Sequence, residues 1–164
     1  MKLHQKVFEK IKTILSKQFG EEIHEYEGGN AISIGDTDVW ISCSSIELTV
    51  GYGINHRHYV NERELILEAI DELFGLITRR KRVTEFFKGK TLFKAKTEIE
   101  ISNGKFLNLG TTMVLFYPYW KKTEKKVRLE EKFLNPAEIE KDLIELKKLC
   151  TTTHIPHAYP YTKF

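Results

Sequence analysis

Two histidines, His56 and His58, are separated by one residue in the stretch Gly51-Tyr52-Gly53-Ile54-Asn55-His56-Arg57-His58-Tyr59. On an extended backbone, side chains alternate with period two, so both imidazoles leave the chain on the same side. They could bind a metal, titrate together near neutral pH, or hydrogen-bond a partner. Aromatic and glycine neighbours suggest a shaped patch. A zinc reading takes His56 and His58 as two ligands and looks to His154 and His157 for more. A catalytic zinc needs three protein ligands and an open position, and no HExxH spacing supports such a set. The simpler expectation is that the pair bonds loop backbone or faces a partner, with no metal and no cofactor.

Three other constellations compete with the histidines. Ser42, Cys43, Ser44 and Ser45 supply potential nucleophiles, and Glu47 a carboxylate to orient His56 or His58, which would suit an acid–base or metal-dependent hydrolase. Neither a glycine-flanked nucleophile elbow nor a glycine-rich phosphate loop accompanies them. Tyr117-Pro118-Tyr119-Trp120-Lys121-Lys122 sets aromatic faces beside cations, the combination that stacks bases and holds phosphates. Lysines on an edge strand also prevent aggregation, a plainer reason for the same charge. Finally, Tyr52, Arg57, His58, Tyr59, Tyr119 and Trp120 are residue types that anchor protein interfaces. Trp40 is of that type too, but its apolar strand assigns it to the core.

The elements that must position these groups follow from periodicity. Leu3, Val7, Ile11, Ile14, Leu15 and Phe19 make the stripe of a helix that Gly20 ends. Strands are expected over 23–26, 31–34, 39–42 and 46–52. A helix over 62–78 is read with Asn61 as cap and Glu64 at the capping-box position. Strands return over 83–87 and 91–102, with Asn103-Gly104 as a hairpin turn. Thr111–Tyr117, carrying Met113, Val114, Leu115 and Phe116, reads as a central strand covered on both faces. Lys125–Phe133 reads as a charged edge strand, and Asn135-Pro136 opens a last helix striped by Ile139, Leu143, Leu146 and Cys150. The order α-ββββ-α-ββββ-α implies an α+β fold, a mainly antiparallel sheet with helices packed on one face. Residues 1–164 are expected to form a single domain, 151–164 being an irregular tail.

Composition narrows the class. A charged fraction of 30% with an apolar fraction of 41% suits a globular chain. No apolar stretch approaches a membrane span and the start lacks a signal-peptide core, so a cytoplasmic protein without a membrane partner is expected. Cys43 and Cys150 are too few and too far apart for a disulfide framework, and Cys43 reads as a small core residue. The net charge of +3 does not choose a partner, although Arg79–Arg82 and the later lysines concentrate positive charge in the second half.

At Glu47-Leu48-Thr49-Val50-Gly51-Tyr52-Gly53, followed by His56-Arg57-His58-Tyr59 and a helix, the chain resembles small bacterial immunity-type proteins. These accompany polymorphic or contact-dependent toxins. The resemblance spans roughly residues 39–90. It implies a non-enzymatic binder that neutralises a cognate toxin by direct contact, with His56, Arg57, His58 and Tyr59 on the functional surface. Because immunity proteins against nucleases are often acidic, the mild basic charge disfavours a nuclease as the toxin. A nucleic-acid module using the Tyr117–Lys122 segment remains the alternative outside protein binding.

Overall fold

The structure, a computed structural model, describes residues 1–151. The expected tail, with His154 and His157, lies outside the described residues. The fold is α+β. Helix α1 (Leu3–Phe19) leads into a five-stranded antiparallel sheet of β1 (Ile23–Tyr26), β2 (Ala31–Ile34), β3 (Val39–Cys43), β4 (Glu47–Tyr52) and β5 (Asn55–Val60), paired in chain order. Helix α2 (Arg63–Thr78) connects to a four-stranded sheet of β6 (Lys81–Lys88), β7 (Thr91–Ser102), β8 (Lys105–Met113) and β9 (Thr123–Glu130), in the order β8-β7-β6-β9. Helix α3 (Pro136–Thr151) closes the described chain.

Alternation decides which face of the first sheet is dry. The register aligns Ile32, Ile41 and Val50 in one cross-strand row, and Cys43, Leu48 and Tyr59 in the next. All six side chains are buried. Helices α1 and α2 pack on this face through Val7, Ile11, Ile14, Leu15, Ile66, Ile70 and Leu73, and α3 lies against both helices. Burying a leucine- or isoleucine-sized side chain is worth roughly 1.5–3 kcal/mol, so these rows fix the register of β2–β5. The opposite rows carry Ser33, Trp40, Gly51 and His56, then Ala31, Ser42, Thr49 and His58. They form the sheet's outer face.

Four expectations are corrected. The histidine segment is itself a paired strand, so five strands precede α2 rather than four, and two sheets replace one. Trp40 is half-buried on the outer face, not in the core, because residues 39, 41 and 43 already take the inward positions. The strand placed over Thr111–Tyr117 is Lys105–Met113, an edge strand, and Val114, Leu115 and Phe116 stand exposed beyond its end. Pairing with β7 fixes those limits, with Lys105 opposite Ser102 and Met113 opposite Lys94. Asn61 does not cap α2: its Oδ1 accepts hydrogen bonds from the His4 backbone N–H (3.0 Å) and the His4 Nδ1 (2.8 Å). No side chain caps that helix start, so the Glu64 box is not formed either.

Candidate functional site

The outer face of the first sheet owes its shape to Gly51. A Cβ there would overlap the Trp40 indole, so glycine lets the ring lie across β4. Trp40 Nε1 donates to the Gly53 carbonyl at 2.8 Å, which fixes the ring's direction. The indole meets His56 with centroids 5.7 Å apart, and His56 meets His58 edge-on at 5.1 Å. Three rings thus run side by side across β3 and β5. They border a shallow groove of about 570 Å³ that Tyr26, Ser33, Ser42 and Thr49 also line.

Each imidazole is oriented by an oxygen. The His58 Nδ1 lies 2.8 Å from Glu47 Oε1 and 3.2 Å from Thr49 Oγ1. The His56 Nδ1 lies 3.2 Å from the Ile54 carbonyl. A carboxylate and a carbonyl only accept, so Nδ1 carries the proton and Nε2 is the open nitrogen of each neutral ring. Protonation of His58 would convert its contact with Glu47 into an ion pair.

This arrangement tests the chemistries suggested by the sequence. In a catalytic triad the carboxylate holds one imidazole nitrogen and the nucleophile meets the other. Of the expected nucleophiles, Ser44 turns its hydroxyl to its own loop, donating to the Glu47 carbonyl at 3.4 Å and accepting from the Ile46 and Glu47 N–H groups at 3.2 Å. The hydroxyl that does meet His58, that of Thr49, shares Nδ1 with Glu47 and is not placed for activation. Cys43 points into the core, where burial pushes its thiol up, away from the reactive thiolate. Among the described residues, no three His, Cys, Asp or Glu side chains group to hold a metal ion. The two open Nε2 atoms fall short of the three protein ligands of a catalytic zinc site.

The other sequence-derived candidates sit elsewhere. Arg57 and Tyr59 project from the opposite face of β5 and converge on Glu72 of α2: Arg57 Nη1 is 3.3 Å from Glu72 Oε2, and the Tyr59 hydroxyl donates to the same oxygen at 2.5 Å. Tyr59 is buried, and burial together with the Glu72 bond raises its hydroxyl well above the usual tyrosine range. Tyr52 is buried too, its hydroxyl donating to Glu130 of β9. Tyr119 and Trp120 pack on each other in the loop between β8 and β9, centroids 5.1 Å apart, and both are exposed. The structure therefore unites His56 and His58 with Trp40, Glu47 and Thr49 on the outer face and sends Arg57, Tyr59 and Tyr52 to the other, although His56, Arg57 and Tyr52 border a second cavity of about 210 Å³. Glu47 was visible as a possible carboxylate. Trp40 was missed, although Gly51 opposite it in the hairpin was the available signal.

Compared with known proteins, the chain matches no protein-family model, no curated protein and no solved structure.

Proposed function

We propose that this protein is a non-enzymatic binder that seats a partner protein on the outer face of its first sheet. One observation carries the reading: Trp40, His56 and His58 form an oriented aromatic row on a sheet face that no helix among the described residues covers. Tryptophan and polar aromatics on a rigid strand scaffold lose little conformational freedom on binding, which suits them to anchor an interface. Oriented imidazoles with an open nitrogen offer hydrogen bonds of defined direction. The Ser44 hydroxyl held by its own loop backbone and the buried Cys43 thiol count against the hydrolase alternative. Together with the resemblance around residues 39–90, these features support a cognate bacterial toxin as the partner.

Calorimetry with the product of a neighbouring reading frame tests the proposal. Direct binding is expected, with Trp40→Ala and His58→Ala each weakening it by roughly 2 kcal/mol, an interface hot-spot loss. Both variants should melt within a few degrees of the parent, because neither side chain belongs to the dry core. Unchanged affinity in both variants would remove the outer face from the interface. Turnover of a substrate by the purified protein, lost in His58→Ala, would replace binding with catalysis.

A further inference from the structure

The second sheet ends in an apolar tip that the outer face of the first does not use. Register places Met113 opposite Lys94 and Thr123 opposite Lys88, so the β6–β7 turn and the β8–β9 loop share one end of the sheet. The loop is a built structure. Val114 N–H donates to the Phe93 carbonyl at 2.8 Å, Lys121 N–H donates to the Pro118 carbonyl at 3.0 Å, and Tyr117 stacks on Phe93 with centroids 4.5 Å apart. On this fixed support the large apolar side chains face outward: Leu115 is 79% exposed, Phe116 89%, Tyr119 75% and Trp120 73%. Exposed apolar side chains clustered on one loop mark an interaction surface rather than ordinary scatter.

The charge around the tip selects the partner. Residues 86–94 and 111–126 contain seven lysines and one carboxylate, Glu124. Lys94 lies over the Phe86 ring and Lys126 over that of Phe87, so cations flank aromatic rings on both faces of the sheet near the tip. We infer that this tip docks on an anionic lipid bilayer, with Leu115 and Phe116 entering the acyl boundary, Tyr119 and Trp120 at headgroup level, and the lysines on the acidic headgroups. Each residue type suits its depth: aliphatic and phenyl groups gain from leaving water, Tyr and Trp favour the interface, and lysines follow negative surface potential. A single-stranded nucleic acid would use the rings and lysines but gives Leu115 and Val114 no role. With Leu115, Phe116, Tyr119 and Trp120 each at least 73% exposed, these side chains do not enclose a small ligand. The absence of a long apolar helix among the described residues bears on crossing a membrane, not on lying against one.

Flotation with vesicles of phosphatidylcholine alone and of phosphatidylcholine mixed with phosphatidylglycerol tests this without reference to any toxin. The full chain should float with the anionic vesicles and not with the neutral ones, and raising salt should weaken it. In a Trp40→Phe background, Trp120 emission should shift to the blue on vesicle addition. The Leu115→Ser/Phe116→Ser and Lys121→Glu/Lys122→Glu variants should each lower the partition coefficient about tenfold or more with melting temperature unchanged. The inference fails if anionic vesicles do not bind at low salt, if neutral vesicles bind equally, or if the serine variant partitions like the parent. It also fails if a short single-stranded oligonucleotide binds and displaces the vesicles.

Discussion

Trp40 lies flat across Gly51, and any side chain at position 51 would stand in the space of the indole. Gly51→Ala should therefore tilt the ring away from His56 and break its 2.8 Å bond to the Gly53 carbonyl. The expected cost is about 1 kcal/mol of stability, at the mild end for overpacking because the ring can move into solvent. Near-UV circular dichroism should lose the band of an immobilised tryptophan, and an unchanged spectrum would show that Trp40 is not seated by Gly51. The histidine pair was legible because period two follows directly from two letters of sequence. The tryptophan was not, because an aromatic within an apolar run reads as core until register shows which residues take the inward positions. Glu98 makes a second case at this scale. The Arg82 guanidinium (2.8 Å), with the Lys96 ammonium (2.7 Å) adding to it, holds its carboxyl down at about 2 against an ordinary 4.5. A depressed carboxyl contributes stability that is present above pH 4.5 and is lost as pH falls toward 2. Urea midpoints measured over that interval should fall steeply for the parent and more gently for Glu98→Gln. Parallel curves would dismiss the carboxylate as an acid-labile contact.

At the scale of elements, α2 is held at its end by a residue from the next strand. The last turn of a helix leaves carbonyls without intrahelical partners. Fully buried Lys81, the first residue of β6, donates from Nζ to the Leu76 carbonyl at 2.9 Å, with Phe133 beneath the ammonium at 4.1 Å. Burial pulls the lysine below its ordinary range, while the charges of Glu130 and Asp38 oppose that shift. Lys81→Ala should cost about 3 kcal/mol, by opening a cavity and leaving the carbonyl unsatisfied. Lys81→Met keeps the volume and removes a buried charge but still leaves the carbonyl without its donor, so it should recover only the cavity part of the loss. Equal unfolding midpoints for alanine and parent would show that the amine is not a helix clasp. The helix itself was plain in sequence, since Leu65, Ala69, Ile70, Leu73, Leu76 and Ile77 repeat at helical steps; Leu65 is only partly buried, and Ile66 beside it takes the inward place. So were α1, α3 and the Asn103-Gly104 hairpin turn, where Gly104 adopts φ +75°. The strand of residues 105–113 was hidden because, as an edge strand, it carries no long buried run. The exposed Met113–Phe116 stretch imitated a central strand for the same reason: local hydrophobicity does not reveal whether another layer covers it.

At the scale of the whole molecule, several polar bonds cross the seam between the sheets. Asn55 on β5 donates from Nδ2 to Thr97 Oγ1 at 3.5 Å and accepts from the Thr112 hydroxyl. Arg57 Nη2 reaches the Leu109 carbonyl at 3.4 Å, and the Tyr52 hydroxyl crosses from β4 to Glu130 on β9. Apolar packing joins the two layers as well: Val83 of β6 belongs to the buried core cluster, Leu109 of β8 packs against it, Ile99 lies against Gly75 of α2, and the Phe133 N–H donates to the Ile77 carbonyl at 2.8 Å. The polar bonds at this junction can be removed one at a time without opening the core. Tyr52→Phe removes one hydroxyl and takes the donor from Glu130 Oε2, while Arg128 Nη2 stays 2.9 Å from Oε1, a loss of about 1.5–3 kcal/mol for a bond to a charged group. For a chain of this length that is roughly a 3–12 °C fall in melting temperature. Burial first, and then Glu130, raise the Tyr52 hydroxyl far above the ordinary value of 10. Above pH 10 the unfolded tyrosine ionises while the folded one resists, so this group's contribution is lost as pH climbs. Tyr52→Phe should flatten that alkaline decline. Hydrogen exchange locates the effect: amides of β6 and β9 should exchange faster in the variant, while those of α1 and β3 keep their parental protection. Equal acceleration in α1 and β9 would mean that the sheets open together and that the hydroxyl belongs to one indivisible core.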